Sequence, residues 1–453
     1  MTRAPAPAAS APAVPVDVRR WHLAVVAAYA ASGLAFSSWV SRVPALRTDL
    51  DLTPAGVGLL LLCMTLASFA SVSASGLIVI RLGSARTIQA GSVLVGAGLV
   101  LLGLGASVFQ STVAAAVGFA VIGLGTASWN TASNVEGAAV ERALKRFIMP
   151  RLHGSFSLGT VAGAILGAWA AAVGVPLAWH LGIAGVVVAG AVVTAGTFLR
   201  ADVARREREA GAAAGGARTH DGGPVAAGQR APSSVLAAAE GESAAAEAAA
   251  PAAADSPGGR AQVAAAWRDR RTVLLGVMVL GLALAEGAAG DWVALALADG
   301  YGVSQAAGAA GYSVFVCAMA AGRFLGTPVL NRHGRVTALR VCGILALVGL
   351  ALFVLAPALW LAFAGLVVWG LGASLGFPVG MSAAADDPVH AAARVSVVST
   401  IGYGAFLCGP PLLGFVAEFT GVRYSLLTVL LFVVISVALA GQAARRTVAP
   451  VTA

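Results

Sequence analysis

Apolar runs of about twenty residues recur twelve times along this chain, six before a polar stretch near its middle and six after it. A helix rises about 1.5 Å per residue, so a run of about 20 residues crosses a hydrocarbon core of roughly 30 Å. Its backbone polar groups then bond within the helix and need no water. The runs read as spans at 21–43, 55–79, 86–107, 112–134, 153–174 and 178–199, then at 272–297, 305–330, 336–356, 359–383, 395–417 and 423–443. Only 11% of the residues are charged and 58% are hydrophobic, against about 25% charged in an average soluble chain. That much apolar surface requires a lipid bilayer. The expected class is an all-α polytopic membrane protein.

The net charge of +9 does not imply nucleic-acid binding, because the arginines fall in short clusters between apolar runs. One set of loops carries Arg81, Arg86, Arg142, Lys145, Arg146, Arg151, Arg332, Arg335, Arg340 and Arg394, with Arg445 and Arg446 in the tail. The alternate loops carry only Arg42, Arg47 and Arg423. The positive-inside rule then makes both termini cytoplasmic, in a multi-pass protein of the cell membrane. Residues 1–18 read as a disordered tail and 201–268, rich in Ala, Gly, Pro, Ser and Glu, as a disordered linker. The expected units are 19–200 and 269–446, followed by a tail at 447–453. Cys63, Cys317, Cys342 and Cys408 lie inside apolar runs without metal-ligand or CxxC spacing, so they read as packing residues. No HExxH, GxSxG or Cys/His cluster is present. Neither a metal, a cofactor nor an enzymatic activity is expected.

The two halves resemble each other. SSWVSR around Trp39 parallels GDWVAL around Trp292, and DLTPAG (51–56) parallels GVSQAA (302–307). IRLGSAR (80–86) parallels NRHGRVT (331–337), and IGLGTAS (122–128) parallels WGLGASL (369–375). Four matches in one order, offset by about 250 residues, argue for two repeats of six helices. Such parallel repeats enclose a site near the midplane and work by rocking one half against the other.

Residues 76–86, GLIVIRLGSAR, resemble the helix 2–3 signature of the major facilitator superfamily, with Gly83 at the tight turn and Arg81 and Arg86 holding cytoplasmic helix ends. Ile80 stands where that signature has Asp. Asn331, Arg332, Gly334 and Arg335 recover more of the pattern in the second half. These residues are the expected inner gate. SSWVSRVPALR, NTASNVEGAAVER, MPRLHGSFSLG and EGAAGDW are similar to the superfamily's fucose-permease-like branch. The sugar–proton symporters of that branch carry an acid where this chain has Asn130, and their helix 1 acid falls near Val40. The resemblance implies twelve helices in two pseudo-symmetric bundles, acting as a monomer, that move a small-molecule solute with a proton or sodium ion.

Glu286 and Asp291 lie in GLALAEGAAGDWVALAL (281–297). A carboxylate near the centre of a span costs about 2.5–3.5 kcal/mol on insertion scales, so it should face a cavity or a partner. Glu286 is the candidate proton carrier; a protonated, structural Glu is the alternative. Asp291 is expected either to be solvated at the rim or to pair with Arg42 as an outer gate. Asn130 and Asn134, at i and i+4, share one helix face and suit hydrogen bonding to a hydroxylated solute or to another helix. Trp39 and Trp129 are candidates for stacking on it, and Trp39 and Trp292 read equally well as belt residues at the membrane surface. Arg323 is expected to extend to the cytoplasmic surface, and His153 to mark a helix end or a gate contact. Gly159, Gly163 and Gly167 form a smooth face for close helix packing. A proton-coupled secondary transporter is the leading reading. An efflux carrier for amphipathic compounds and a non-transporting membrane sensor are the alternatives.

Overall fold

The computed structural model describes residues 16–144, 148–200, 259–386 and 390–444. Among them are twelve helices long and apolar enough to cross a membrane and no strand. The first six are α1 (Val16–Val40), α2 (Pro54–Leu82), α3 (Ser84–Ser107), α4 (Thr112–Leu144), α5 (Met149–Ala172) and α6 (Leu177–Gly196). The second six are α7 (Arg270–Gly300), α8 (305–333), α9 (335–355), α10 (Leu359–Ala384), α11 (Ala391–Thr420) and α12 (Val422–Ala443). All twelve expected spans are present, most with longer ends; the fourth continues ten residues further, to Leu144.

The same helix pairs pack in each half. α1 lies on α5 and α6, α2 on α4, and α3 on α4 and α6. In the second half α7 lies on α11 and α12, α8 and α9 on α10, and α9 on α12. Local details repeat as well. Thr53 caps α2 by accepting from Gly56 N at 3.2 Å, and Ser304 caps α8 by accepting from Ala307 N at 3.2 Å. Gly83 (φ 85°, ψ 157°) ends α2 and Gly334 (φ 79°, ψ 170°) separates α8 from α9. Both positions require a left-handed φ that an L side chain adopts only under strain.

Two seams join the halves, α2 with α11 and α5 with α8, and the pseudo-symmetry exchanges them. The expected glycine stripe of α5 packs on α1: a side chain at Gly159 would meet Ala30, at Gly163 Leu34 and at Gly167 Ser41. Pro410 and Pro411 lie within α11, where the Pro410 carbonyl packs on Gly58 of α2.

The linker expectation needs one correction. Its last ten residues form a helix, Gly259–Arg268, that buries Ala266 against Ala393 and Val397 of α11. An apolar stripe on an otherwise polar segment is enough for this, given a helix to lie on. Residues 201–258, 1–15 and 445–453, with Lys145 and Arg146, lie outside the described residues.

Candidate functional site

Glu286 stands midway along α7, and its partner is Arg323 of α8. The Arg323 Nη2 donates to Glu286 Oε1 at 3.0 Å, with about a quarter of each side chain exposed (25% and 24%). Arg323 does not extend to the membrane surface as its place in the sequence suggested. Its Nη1 donates to Ser157 Oγ of α5 at 3.2 Å, across the seam between the halves. Its Nε donates to the Ser374 carbonyl at 3.4 Å. That acceptor exists because α10 breaks between Ala373 and Gly376, which frees a carbonyl from its helical partner. Inside an apolar bundle, a bonded carboxylate and main-chain oxygen hold the guanidinium more strongly than its long stem drives it toward water.

The polar path continues into the first half. His153 of α5 is within electrostatic range of Arg323 and stacks edge-on against Tyr29 of α1, ring centroids 5.3 Å apart. The Tyr29 hydroxyl donates to Asn134 Oδ1 at 2.5 Å, and Ser32 donates to Asn130 Oδ1 at 3.2 Å. Both asparagines of α4 thus face α1, and Asn130 is exposed. Asp291 carries no ion pair among the described residues. Tyr312 of α8, itself buried, faces both Asp291 and Glu286 and lies beside Ser37 of α1. Two acids five residues apart on α7 therefore border one central region, because α8 reaches both.

Other expected residues sit elsewhere. Trp39 is 2% exposed, wedged edge-on against Phe36 and Phe119. Trp129 is 1% exposed and packs on Gly91 of α3. Neither offers a ring face to a solute in this conformation. Arg42 is not paired with Asp291. It is 4% exposed, donates from Nη2 to the Val175 carbonyl at 2.9 Å, and leaves Nε and Nη1 without partners. Burial lowers its pKa and the Asp49 carboxylate opposes that shift.

The halves are instead tied at the arginine-poor end by residues that the sequence did not mark as a gate. Arg47 forms an ion pair with Asp299 at the end of α7. Gln305 Nε2 donates to Thr48 Oγ1 at 3.4 Å, and Ala55 N donates to Glu418 Oε1 of α11 at 2.9 Å.

At the arginine-rich end, Arg81, Arg86, Asn331 and Arg332 are exposed, as is Gly334 in its turn. Arg81 and Arg86 bond to no other helix among the described residues. The helix ends are held by Ser84, which donates to Glu136 Oε1 at 2.7 Å, and by Arg335, which donates to Asp386 Oδ1 at 2.5 Å and to Ser382 Oγ at 2.8 Å. Glu136 is fully buried and also accepts from Trp21 Nε1 at 2.6 Å. Among the described residues no cluster of His, Cys, Asp or Glu could hold a metal ion, and the four cysteines are free thiols.

A family model described as Major Facilitator Superfamily matches residues 25–393 and 275–450. The chain is 28% identical over 417 residues, 92% of this chain and 96% of the other, to "Uncharacterized transporter y4wD" of Sinorhizobium fredii. It is 27% identical over 394 residues, 86% of this chain and 87% of the other, to an "Uncharacterized MFS-type transporter" of Yersinia pestis. Its fold is similar to that of the E. coli fucose:proton symporter FucP, with a TM-score of 0.58 at 14% identity, covering 94% of this chain and 98% of that one.

Proposed function

The chain belongs to the Major Facilitator Superfamily and is a multi-pass membrane transporter; from that premise we propose that it moves a small solute by alternating access, coupled to protons through Glu286. The observation that carries the proposal is the bond from Arg323 to Glu286 on one side and to Ser157, on the opposite half, on the other. Two bundles that rock against each other must break and remake whatever crosses between them. A proton on Glu286 removes the charge that holds Arg323, so the protonation state of one carboxyl and the contact between the halves are linked. The fucose:proton symporter of like fold supports a proton as the coupling ion.

Asn130, Asn134 and Ser32 supply hydrogen-bonding groups for the solute on the α1 and α4 side. The arginine-rich end is cytoplasmic by the positive-inside rule, so both termini are cytoplasmic. The ties at Arg47–Asp299, Thr48–Gln305 and Ala55–Glu418 then close the outer side, and the conformation faces inward. Arg335, Asn331, Arg332 and Gly334, with Arg81, Gly83 and Arg86, are the surfaces that meet when the inner side closes. The chain works as a monomer in the cytoplasmic membrane.

Proteoliposomes holding the parent or Glu286→Gln test the assignment, with a solute panel and either a pH or a sodium gradient. The parent accumulates its solute under a pH gradient and not under sodium. Glu286→Gln loses accumulation and retains solute exchange. Normal accumulation by Glu286→Gln overturns the role of Glu286.

A further inference from the structure

Arg323 is the deepest basic side chain among the described residues: the other arginines of the spans stand near helix ends, whereas it is eighteen residues into α8 and ten from its end. It is partly exposed (25%) and donates to three acceptors on three different helices. Two of these, a serine hydroxyl and a main-chain carbonyl, are neutral. Glu286 is the carboxylate that faces it at hydrogen-bond range, 3.0 Å away.

We propose that Arg323 is the solute-binding cation, and that the solute is a small hydroxylated organic anion whose carboxylate takes the place of Glu286 on the guanidinium. The inference rests on the transport reading above and names its solute class. A guanidinium this deep is stable only while an anion faces it. When Glu286 accepts a proton it can no longer serve, and the planar fork is left matched to another carboxylate. The hydroxyls of such a solute have partners at Ser157 next to Arg323 and, across Tyr29 and His153, at Asn134 and Asn130. One proton enters for each monovalent anion, so the transported pair is neutral and Arg323 never faces the apolar bundle without a counter-charge. The coupling is mutual exclusion: Glu286 holds either Arg323 or a proton, and Arg323 holds either Glu286 or the solute.

The titratable groups around the pair are Asp291 on its own helix, Tyr312 on α8, His153 on α5 and Tyr29 on α1. Any pH dependence is therefore read against Glu286→Gln, which removes one group and leaves the others.

The test uses the full chain in lipid nanodiscs and a panel of gluconate, lactate, the neutral polyol sorbitol and the amine glucosamine, with binding read as thermal stabilisation. A carboxylate is expected to bind with an affinity that rises as pH falls. Glu286→Gln, a fixed mimic of the protonated side chain, should bind it about tenfold tighter and without that pH dependence, and Arg323→Gln should abolish binding. In proteoliposomes, uptake of the carboxylate should follow a pH gradient and ignore an imposed membrane potential. Binding of sorbitol or glucosamine in preference to both carboxylates, or weaker carboxylate binding by Glu286→Gln, overturns the anion assignment while pH-driven uptake of the neutral or cationic solute leaves the transport reading standing. Absence of gradient-driven uptake for every charge class sinks that reading itself. If Arg323→Gln fails to fold, the gain expected of Glu286→Gln still decides the matter.

Discussion

Ser84, the first residue of α3, donates to Glu136 Oε1 of α4 at 2.7 Å. The repeat places Arg335, the first residue of α9, in the same position, and it donates to Asp386 at the end of α10. Both halves thus fix the helix that follows the Gly turn to an acid of the next span. The first half uses a hydroxyl and a buried acid; the second uses a guanidinium and a more exposed one.

Glu136→Ala should destabilise the protein by at least about 1–3 kcal/mol, because it takes the acceptor from the buried Trp21 N–H, an unpaired buried group costing about that much, and also removes the bond from Ser84. Glu136→Gln keeps one acceptor oxygen and should lose less. Thermal unfolding in detergent measures both. Equal melting of Glu136→Ala and the parent would remove the acid from the structural account.

The Arg47–Asp299 ion pair exists only where the halves meet at the arginine-poor end. Partly exposed pairs contribute roughly 0.2–1 kcal/mol. Arg47→Ala should therefore move the population toward the state open at that end by up to about fivefold. Spin labels at Thr48 and Gln305 report the separation. Arg47→Asp with Asp299→Arg should restore the parent distribution, and an unchanged distance distribution in every variant would mean that the pair holds nothing closed.

Gly163 sits where α5 crosses α1, and a Cβ there would lie 2.6 Å from the Leu34 carbonyl oxygen and 3.0 Å from Ser37 Cβ. Gly163→Val should cost about 1–3 kcal/mol through overpacking and lower the yield of folded protein. Gly182 on α6 has nothing within 4 Å of its added Cβ. Gly182→Ala should be neutral or stabilising by up to about 1 kcal/mol. Size-exclusion profiles and melting temperatures separate the two.

Tyr301 lies just beyond α7, with its hydroxyl bonded to the Phe353 carbonyl and the Arg423 guanidinium 3.9 Å from its ring centroid. Burial raises its pKa above the ordinary 10.0, and Arg423 pulls it down by less. The folded state thus favours the neutral phenol. This contribution is complete below the unfolded value near pH 10 and is lost as pH rises through the higher folded value. Between about pH 9 and about pH 11, the parent should lose more melting temperature than Tyr301→Phe. Parallel pH profiles would exclude a contribution from this phenol.

The twelve spans, their grouping in sixes and the matched turns at Gly83 and Gly334 were all legible in the sequence, because each depends on neighbours within a few residues. Length and hydropathy set a span; one glycine sets a turn. The depth of Glu286 was legible for the same reason. The partners of the polar side chains were not. Arg323 was read toward the surface, Arg42 toward Asp291, and Trp39 and Trp129 toward a solute. The structure instead joins Arg323 to Glu286, Ser157 and Ser374, joins Arg47 to Asp299, and buries both tryptophans. The spans are apolar on every side, since lipid and protein interior are equally apolar, so the sequence carries little record of which face of a helix looks inward. The rotation of each helix, and with it the meeting of a cation and an acid from two spans beside a hydroxyl from the other half, is decided only when all twelve pack together.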